Sequence, residues 1–381
     1  MSQSVHQYII GKIQERKTQN TFRSLFLPEG KTDFFSNDYL GIATNRSVHH
    51  AVLQQLENTP EHTPIHGATG SRLLSGNSAL FETTEQQLAT LHQTEAALLF
   101  NSGYNANLGI LSALPYKNAL IVYDELVHAS MLDGINMSKA HSVSFKHNSI
   151  ADLEEKLHTP AELKFIAIEA LYSMDGDFAP LEQIIALAIK FDAAIILDEA
   201  HSTGIYGTQG EGYAQSLQLH KNIFIRIHTF GKAAGIHGAV ALCTQATKEF
   251  LINYCRPFIF STAMPPYAVH SIQCSYNFMK SKACAAQRLQ LQQNIQYFKQ
   301  LASETKSYQF AVSDSPIQTL FIAGNEAAKN AAMQIRSKGL EVRAILSPTV
   351  PKGTERIRIC LHSFNTSEEI KYLMHTIAAI T

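Results

Sequence analysis

Short apolar runs alternate with amphipathic stretches up to about residue 265. Polar residues or glycines bound these runs, a pattern typical of strands buried on both faces. Between the runs, apolar residues recur at three- and four-residue spacing, which predicts helices. Such alternation favours a mostly parallel sheet with helices on both faces, an α/β fold. The predicted strands lie at 96–100, 120–124, 142–145, 165–170, 194–197, 223–227 and 238–243.

The pattern changes beyond residue 265. Helices rich in Gln, Lys and Ala are predicted at 266–282 and 283–304, followed by short strands and two more helices. We therefore expect three parts, which are an N-terminal arm and helix over 1–45, a large domain over 46–265, and a small α+β domain over 266–381. The first helix is predicted to run from residue 1 to residue 24.

Three reactive side chains follow two of the predicted strands. Asp198 ends the run AAIILD, and His201 comes three residues later. Lys232, between Gly231 and Gly235, follows the next run. Open α/β sheets bind ligands at the carboxyl ends of their strands, so these side chains are expected at one site. Pyridoxal 5′-phosphate (PLP) needs a lysine for its Schiff base and an acid for its ring nitrogen.

Two other interpretations compete with a PLP site. Residues 198–201 spell DEAH, the magnesium-binding box of some helicases, but that chemistry also needs a GxxxxGK[ST] loop, and Ala233 follows Lys232 here. The net charge of −1 offers no basic field for nucleic acid. A nucleotide-binding ATPase or a non-catalytic relic remains the alternative from another class. In the plainest interpretation, Lys232 is a solvated surface lysine and Asp198 a strand cap.

The composition narrows the class of protein. Hydrophobic residues make up 45% and charged residues 17%, as in an ordinary globular protein. No apolar run reaches transmembrane length, and the N-terminus lacks a signal peptide. The five cysteines are odd in number and never form CxxC, which argues against a disulfide or zinc framework. We therefore expect a cytoplasmic protein without a metal site.

Other polar residues fall at the same ends of predicted strands. The turn 102–104 joins a strand to a helix, so its N–H groups could bind a phosphate. His128 could stack on a flat ring, although a helix cap or core histidine is the simpler interpretation. Glu169 and Ser173 lie at the end of the strand predicted at 165–170. Arg356 and Arg358 share one face of a late strand, and one of them could pair with a substrate carboxylate, or each could form only a surface salt bridge.

Nine sequence blocks carry a resemblance to a known family. In order they are NDYLG, GATGSRLLSGN, NSGYNAN, DELVHASMLDG, SMDGDFAPL, LDEAHSTGIYGTQGEG, HTFGKAAGIHGA, FSTAMPP and PTVPKGTERIR. In this order they resemble the α-oxoamine synthases, from about residue 30 to the C-terminus. These are homodimeric PLP enzymes of the fold-type-I transferase architecture. They condense an amino acid with an acyl thioester and release carbon dioxide.

The resemblance implies a role for each candidate residue. Lys232 would form the Schiff base, Asp198 would pair with the ring nitrogen, His128 would stack on the ring, and His201 would bond its 3-oxygen. The phosphate would lie near Ser102, Gly103, Tyr104 and Thr229, with Glu169 and Ser173 lining the site, Ser261 and Thr262 reaching the partner subunit's phosphate, and Arg358, Asn37 and Ser75 contacting substrate.

Within the family, the chain is most similar to the branch that joins L-alanine to a pimeloyl thioester. The acyl carrier is coenzyme A or acyl carrier protein, and the sequence leaves both open. Serine palmitoyltransferase and glycine C-acetyltransferase are alternatives with the same fold. Leu346 stands where the pimeloyl branch often carries Arg, with Arg343 nearby.

Overall fold

The computed structural model describes residues 2–25, 27, 30–305 and 308–380, so residues 1, 26, 28, 29, 306, 307 and 381 of the predicted domains lie outside the described residues. The helices are α1 Gln3–Thr18, α2 Arg46–Glu57, α3 Ala79–Leu91, α4 Gly103–Ala113, α5 Ala129–Met137, α6 Ile150–Leu157, α7 Leu181–Lys190, α8 Tyr213–Ser216, α9 Gln245–Tyr254, α10 Arg256–Ile259, α11 Pro266–Met279, α12 Lys282–Glu304, α13 Asn325–Ser337 and α14 Ser367–Ala378. The strands are β1 Thr32–Asp33, β2 Ala96–Phe100, β3 Ala119–Asp124, β4 His141–Phe145, β5 Leu163–Glu169, β6 Ala193–Asp198, β7 Ile225–Thr229, β8 Ala239–Cys243, β9 Ile317–Phe321, β10 Leu340–Glu341, β11 Arg343–Ile345 and β12 Arg356–Cys360.

The large unit, formed by Asn37–Ser173 and Asp177–Leu289, contains a seven-stranded sheet. Its strand order is β2-β8-β7-β6-β5-β3-β4. The pairs among β4, β3, β5, β6 and β7 are parallel, whereas β8 runs antiparallel to both of its neighbours. The predicted α/β fold with a mostly parallel sheet is therefore confirmed.

Helices cover both faces of this sheet and bury the central strands on each face. Successive residues of β6 point to opposite faces. Ile196 packs in the core cluster that includes residues of α4 and α5. Ile195 and Leu197 pack in the other, with residues of α6 and α7. The apolar run of β6 thus contributes side chains to two hydrophobic cores, one on each face of the sheet.

The His147 clamp, formed by Asp124, His147 and Asp177, joins the end of β3 to the start of the large unit's second segment. His147 Nδ1 lies 2.9 Å from an Asp124 oxygen, and its Nε2 lies 2.8 Å from Asp177 Oδ2. Burial lowers the pKa of His147, but the hydrogen bonds and charges of the two aspartates outweigh it and raise the pKa to about 10. The imidazolium therefore ties the end of β3 to the segment after Gly176.

The small unit is formed by Met1–Ser36, Met174–Gly176 and Gln290–Thr381. β12 pairs with β11 and β9 in an antiparallel sheet, and β1 pairs with β10 in parallel. The N-terminal segment thus contributes a strand to this unit. The helix α1 has no buried residue. The two units divide between Leu289 and Gln290, within α12, and the predicted limits at 45 and 265 stay predictions.

Three element predictions differ from the structure. The first helix ends at Thr18, because Asn20 adopts a φ of +56° that a right-handed helix does not allow. β7 extends to Thr229, because Thr229 pairs with Ala239 of β8. The helices α9 and α10 lie in a stretch for which no element was predicted.

Within the described residues, no helix is long and apolar enough to cross a membrane. The five cysteines are free and buried. The cytoplasmic location stays a prediction.

Candidate active site

The ends of β5 and β6 place two carboxyl groups side by side. Glu169 lies opposite Asp198 in the parallel register. Asp198 is 5% exposed, and its carboxylate accepts hydrogen bonds from Asn107 Nδ2 at 2.6 Å and from the Ala200 N–H at 2.8 Å. Two donors at fixed positions hold this carboxylate in one orientation.

Glu169 is a neutral acid near neutral pH. It is 2% exposed, and its Oε1 has no hydrogen-bond partner among the described residues. Burial is the first cause and the charge of Asp198 the second, and together they raise the pKa of Glu169 to about 8. The site therefore contains one carboxyl group with two hydrogen-bond donors, Asp198, and one that burial keeps protonated, Glu169.

Lys232 lies in the tight turn after β7. Phe230 N–H donates to Gly238 O at 2.9 Å, and Gly235 N–H donates to Lys232 O at 2.8 Å. Gly235 has a φ of +66°, and a Cβ there would lie 2.3 Å from Ala43 N, so only glycine fits. At Gly231 the nearest atom to such a Cβ is 3.8 Å away. Of the two glycines around the lysine, only Gly235 is required by the backbone.

The turn between β2 and α4 offers donors for an anion. Ser102 caps α4, and its Oγ accepts the Asn105 N–H at 3.2 Å. The first N–H groups of a helix have no acceptor within it, and the helix dipole is positive at that end. A Cβ at Gly103 would lie 3.1 Å from Thr229, which brings this turn against the end of β7.

His128 is the N-cap of α5 and a neutral imidazole. Its Nδ1 accepts the Ser130 N–H at 3.2 Å and lies 2.7 Å from Ser130 Oγ. Burial lowers the pKa of His128, although the charge of Asp198 acts to raise it.

A single cavity of about 270 Å³ gathers these groups within the large unit. Its wall contains eight of the residues predicted from sequence, which are Ser102, Gly103, Tyr104, His128, Glu169, Asp198, Thr229 and Lys232. Three polar wall residues, Asn107, Ser130 and His237, were missed. Asn107 follows Gly103 by four residues on a helix, a spacing that places both on one face and could have identified it.

His201 is not among the residues that line the cavity. It is 4% exposed, and its Nδ1 is 2.8 Å from the Tyr39 hydroxyl, which donates to Asn37 Oδ1 at 3.1 Å. Two predicted site residues, His201 and Asn37, are therefore joined through a tyrosine that sequence reasoning did not single out. Ser173 belongs to the large unit but not to the residues that line the cavity.

Ser261 and Thr262 line a separate small cavity with Arg72 and Phe258. Thr262 O accepts Asn101 Nδ2 at 2.8 Å. The next residue, Ala263, donates its N–H to O of Gly70, in the loop that contains Ser75. These two predicted segments thus lie together, and neither lines the Lys232 cavity of the described chain.

Arg358 is on β12 of the small unit. It is 8% exposed, and its Nη1 lies 3.0 Å from Cys360 Sγ. Its neighbour Arg356, two residues earlier, forms an ion pair with Asp175. Arg356 therefore forms a salt bridge, but a buried one and not the surface pair expected, and a substrate role for Arg358 stays a prediction.

Comparisons with known proteins identify the family to which this chain is similar. The family model for class I and II aminotransferases matches residues 29–377. A protein of Emericella nidulans named 8-amino-7-oxononanoate synthase is 38% identical over 370 residues, which cover 92% of this chain and 90% of that protein. The match confirms the resemblance found from sequence.

Two solved structures are similar over most of the chain. A serine palmitoyltransferase from S. paucimobilis with a bound PLP–myriocin aldimine has a TM-score of 0.88 and 27% identity, covering 100% of this chain and 98% of that one. The 8-amino-7-oxononanoate synthase from Francisella tularensis has a TM-score of 0.78 and 28% identity, covering 92% and 98%. The fold-type-I prediction is confirmed.

Proposed function

Because the chain belongs to the family of class I and II aminotransferases, we propose that it is a PLP-dependent acyltransferase that condenses L-alanine with a pimeloyl thioester and releases carbon dioxide. This is the reaction of 8-amino-7-oxononanoate synthases in biotin biosynthesis. The observation that carries the proposal is the single cavity that Lys232, Asp198, His128 and the turn 102–104 line together.

The cavity suits PLP in three respects. The start of α4 and Thr229 offer donors for the phosphate, and Gly103 leaves room where a side chain would meet Thr229. Asp198 presents a buried carboxylate that can pair with the ring nitrogen. Lys232 supplies the amine that would hold the cofactor covalently.

The chain's own groups would take the proton from the substrate and orient the cofactor. When bound, PLP supplies an electron sink for bond cleavage at the amino acid's α-carbon. The Lys232 amine is the group that would take the α-proton. Glu169 stays protonated near neutral pH and can donate a hydrogen bond. The neutral His128 ring offers a flat face, and His201, whose Nδ1 lies 2.8 Å from the Tyr39 hydroxyl, would bond the cofactor's 3-oxygen.

Substrate contacts are proposed from the family resemblance. Arg358 would bind the carboxylate of alanine, with Asn37 and Ser75 near the substrate. Leu346 is half-buried and Arg343 lies 3.6 Å from Glu341, so neither offers an obvious partner for a free pimeloyl carboxylate. Because an unpaired carboxylate is costly to bury, we propose a preference for an esterified or carrier-linked pimeloyl chain.

We propose a homodimer in which Ser261 and Thr262 contact the phosphate in the partner's site. Their position away from the Lys232 cavity supports this assignment. Exposed apolar side chains beside Ser261 and in the loop that contains Ser75 support the homodimer as well, since Phe260 is 70% and Leu74 82% exposed. An interface would cover such surfaces.

An amino-acid and acyl-donor screen, read by product mass, tests the reaction. We expect alanine with a pimeloyl thioester to give the most product. The structural similarity to serine palmitoyltransferase makes serine with palmitoyl-CoA the second candidate, and glycine with acetyl-CoA the third. If serine with palmitoyl-CoA outpaces alanine with every pimeloyl donor, the alanine proposal is wrong. A colourless protein that binds no PLP would contradict all three.

A further inference from the structure

Asn107 and Ser130 lie on the cavity wall and have no role in the function proposed above. Both are buried, with exposures of 2% and 0%. Asn107 Nδ2 donates to Asp198 Oδ2 at 2.6 Å and to Ser130 Oγ at 3.0 Å. A carboxylate only accepts hydrogen bonds, so the amide nitrogen, not its oxygen, must face Asp198. One amide group therefore bridges the carboxylate and the serine.

The serine continues the connection to His128. Ser130 Oγ lies 2.7 Å from His128 Nδ1, and the Ser130 backbone N–H donates to the same nitrogen at 3.2 Å. A backbone N–H can only donate, so Nδ1 is an acceptor. In a neutral imidazole, the ring proton must then be on Nε2.

The direction of the serine hydroxyl follows from Asn107. The amide donates to Ser130 Oγ, which leaves the hydroxyl proton for His128 Nδ1. Burial lowers the pKa of His128 and keeps the ring neutral, as this arrangement requires. The bonds thus run in one direction from the amide through the hydroxyl to the imidazole.

We propose that Asn107 and Ser130 are positioning residues that act on two groups at once. The amide of Asn107 holds the rotamer of Asp198, and through the Ser130 hydroxyl it directs a second donor to His128 Nδ1, the nitrogen that the Ser130 N–H already keeps as an acceptor. The residue that would pair with the cofactor's ring nitrogen and the residue that would stack on the ring are therefore oriented by a single side chain. The inference about cofactor binding rests on the proposed function, whereas the tautomer does not.

The tautomer is measured on the cofactor-free protein. Long-range ¹H–¹⁵N spectra of histidine rings distinguish Nδ1 from Nε2 protonation, and a His128→Asn variant identifies the signal among the 17 histidines. We expect the Nε2–H form in the wild type and in Asn107→Leu, where the Ser130 N–H still donates to Nδ1, but a shifted Nδ1 resonance in Asn107→Leu because the Ser130 hydroxyl is no longer directed at that nitrogen. Ser112→Ala is the matched control, because Ser112 lies on the same helix and its Oγ donates to Gly109 O. It should leave the His128 signal unchanged.

Cofactor affinity gives the second readout. Loss of a hydrogen bond to a charged group predicts that Asn107→Leu raises the dissociation constant for PLP about tenfold or more. Ser130→Ala should raise it less, because the amide still bonds Asp198. The double variant should bind about as weakly as Asn107→Leu alone, since both changes interrupt one connection.

The outcomes separate the two proposals. An Nδ1–H tautomer in the wild type, or an Asn107→Leu protein that matches Ser112→Ala in both measurements, overturns the positioning role. Ser130→Ala removes a single atom and should shift the same His128 Nδ1 resonance, so it tests the hydroxyl's contact with the ring if Asn107→Leu does not fold. If the wild type binds no PLP, the proposed function fails, and the histidine spectra still test the connection from Asn107 to His128.

Discussion

Replacement of Asp198 by Asn tests the electrostatic basis of the site. The side chain keeps its shape but loses its charge and one of its two acceptor oxygens. In the wild type, one oxygen accepts from Asn107 and the other from the Ala200 N–H. An amide at position 198 can satisfy only one of these donors, and its NH₂ group must face the other.

Two magnitudes follow from this geometry. A preorganised electrostatic group of this kind is worth roughly 3–4 kcal/mol in the transition state, so we expect kcat to fall by about a hundredfold to a thousandfold or more. A buried donor left without a partner costs about 1–3 kcal/mol of stability. The variant should therefore fold, with a lower melting temperature at neutral pH.

Glu169 gives the variant a pH signature. Its pKa is raised to about 8 by burial and then by Asp198. A folded-state pKa above the unfolded value means that Glu169 contributes stability at low pH, which is lost as pH rises from about 4.5 to 8. Without the charge at position 198 the pKa of Glu169 falls, so this loss should be smaller.

The assay combines steady-state kinetics with thermal denaturation from pH 5 to 9. Asp192→Asn is the control, because Asp192 is an exposed carboxyl just before the same strand and has a φ of +50° that Asn tolerates. It should match the wild type throughout. An Asp198→Asn enzyme within tenfold of wild-type kcat would refute the assignment and leave Asp198 as a structural cap.

Three further predictions test other parts of the molecule. Lys232→Ala should abolish turnover, and mixing it with a Ser261→Ala, Thr262→Ala variant should restore some activity, whereas a fully active monomer by sedimentation would contradict shared sites. Arg358→Ala should raise the KM for alanine far more than that for the thioester, and equal effects in steady-state assays would argue against carboxylate binding. His147→Gln should lose about 1.5–3 kcal/mol at pH 6 by chemical denaturation. Because the folded pKa of His147 is about 10, the wild type should lose this stability between pH 6.5 and 10; an unchanged pH profile in the variant would contradict the clamp.

Much of the sheet was predictable from the chain. The strands β2 and β6 are apolar at nearly every position, and only a sheet covered on both faces buries such runs. Asp198 and Lys232 were identifiable because each follows an apolar run, and parallel strands bring their carboxyl ends to one edge. The family resemblance then assigned roles to residues such as Tyr104, whose type and spacing alone carry a weak signal.

The tertiary structure decided what depends on distance between separate segments. The hydrogen bond from Asn107 to Asp198 joins residues 91 positions apart, and the pairing of His201 with Tyr39 joins residues 162 positions apart. The raised pKa of Glu169 likewise requires burial beside Asp198, which periodicity does not reveal. Local patterns record which face of an element is buried; hydrogen-bond partners and pKa shifts arise only when folding brings remote side chains within a few ångströms in a medium of low dielectric.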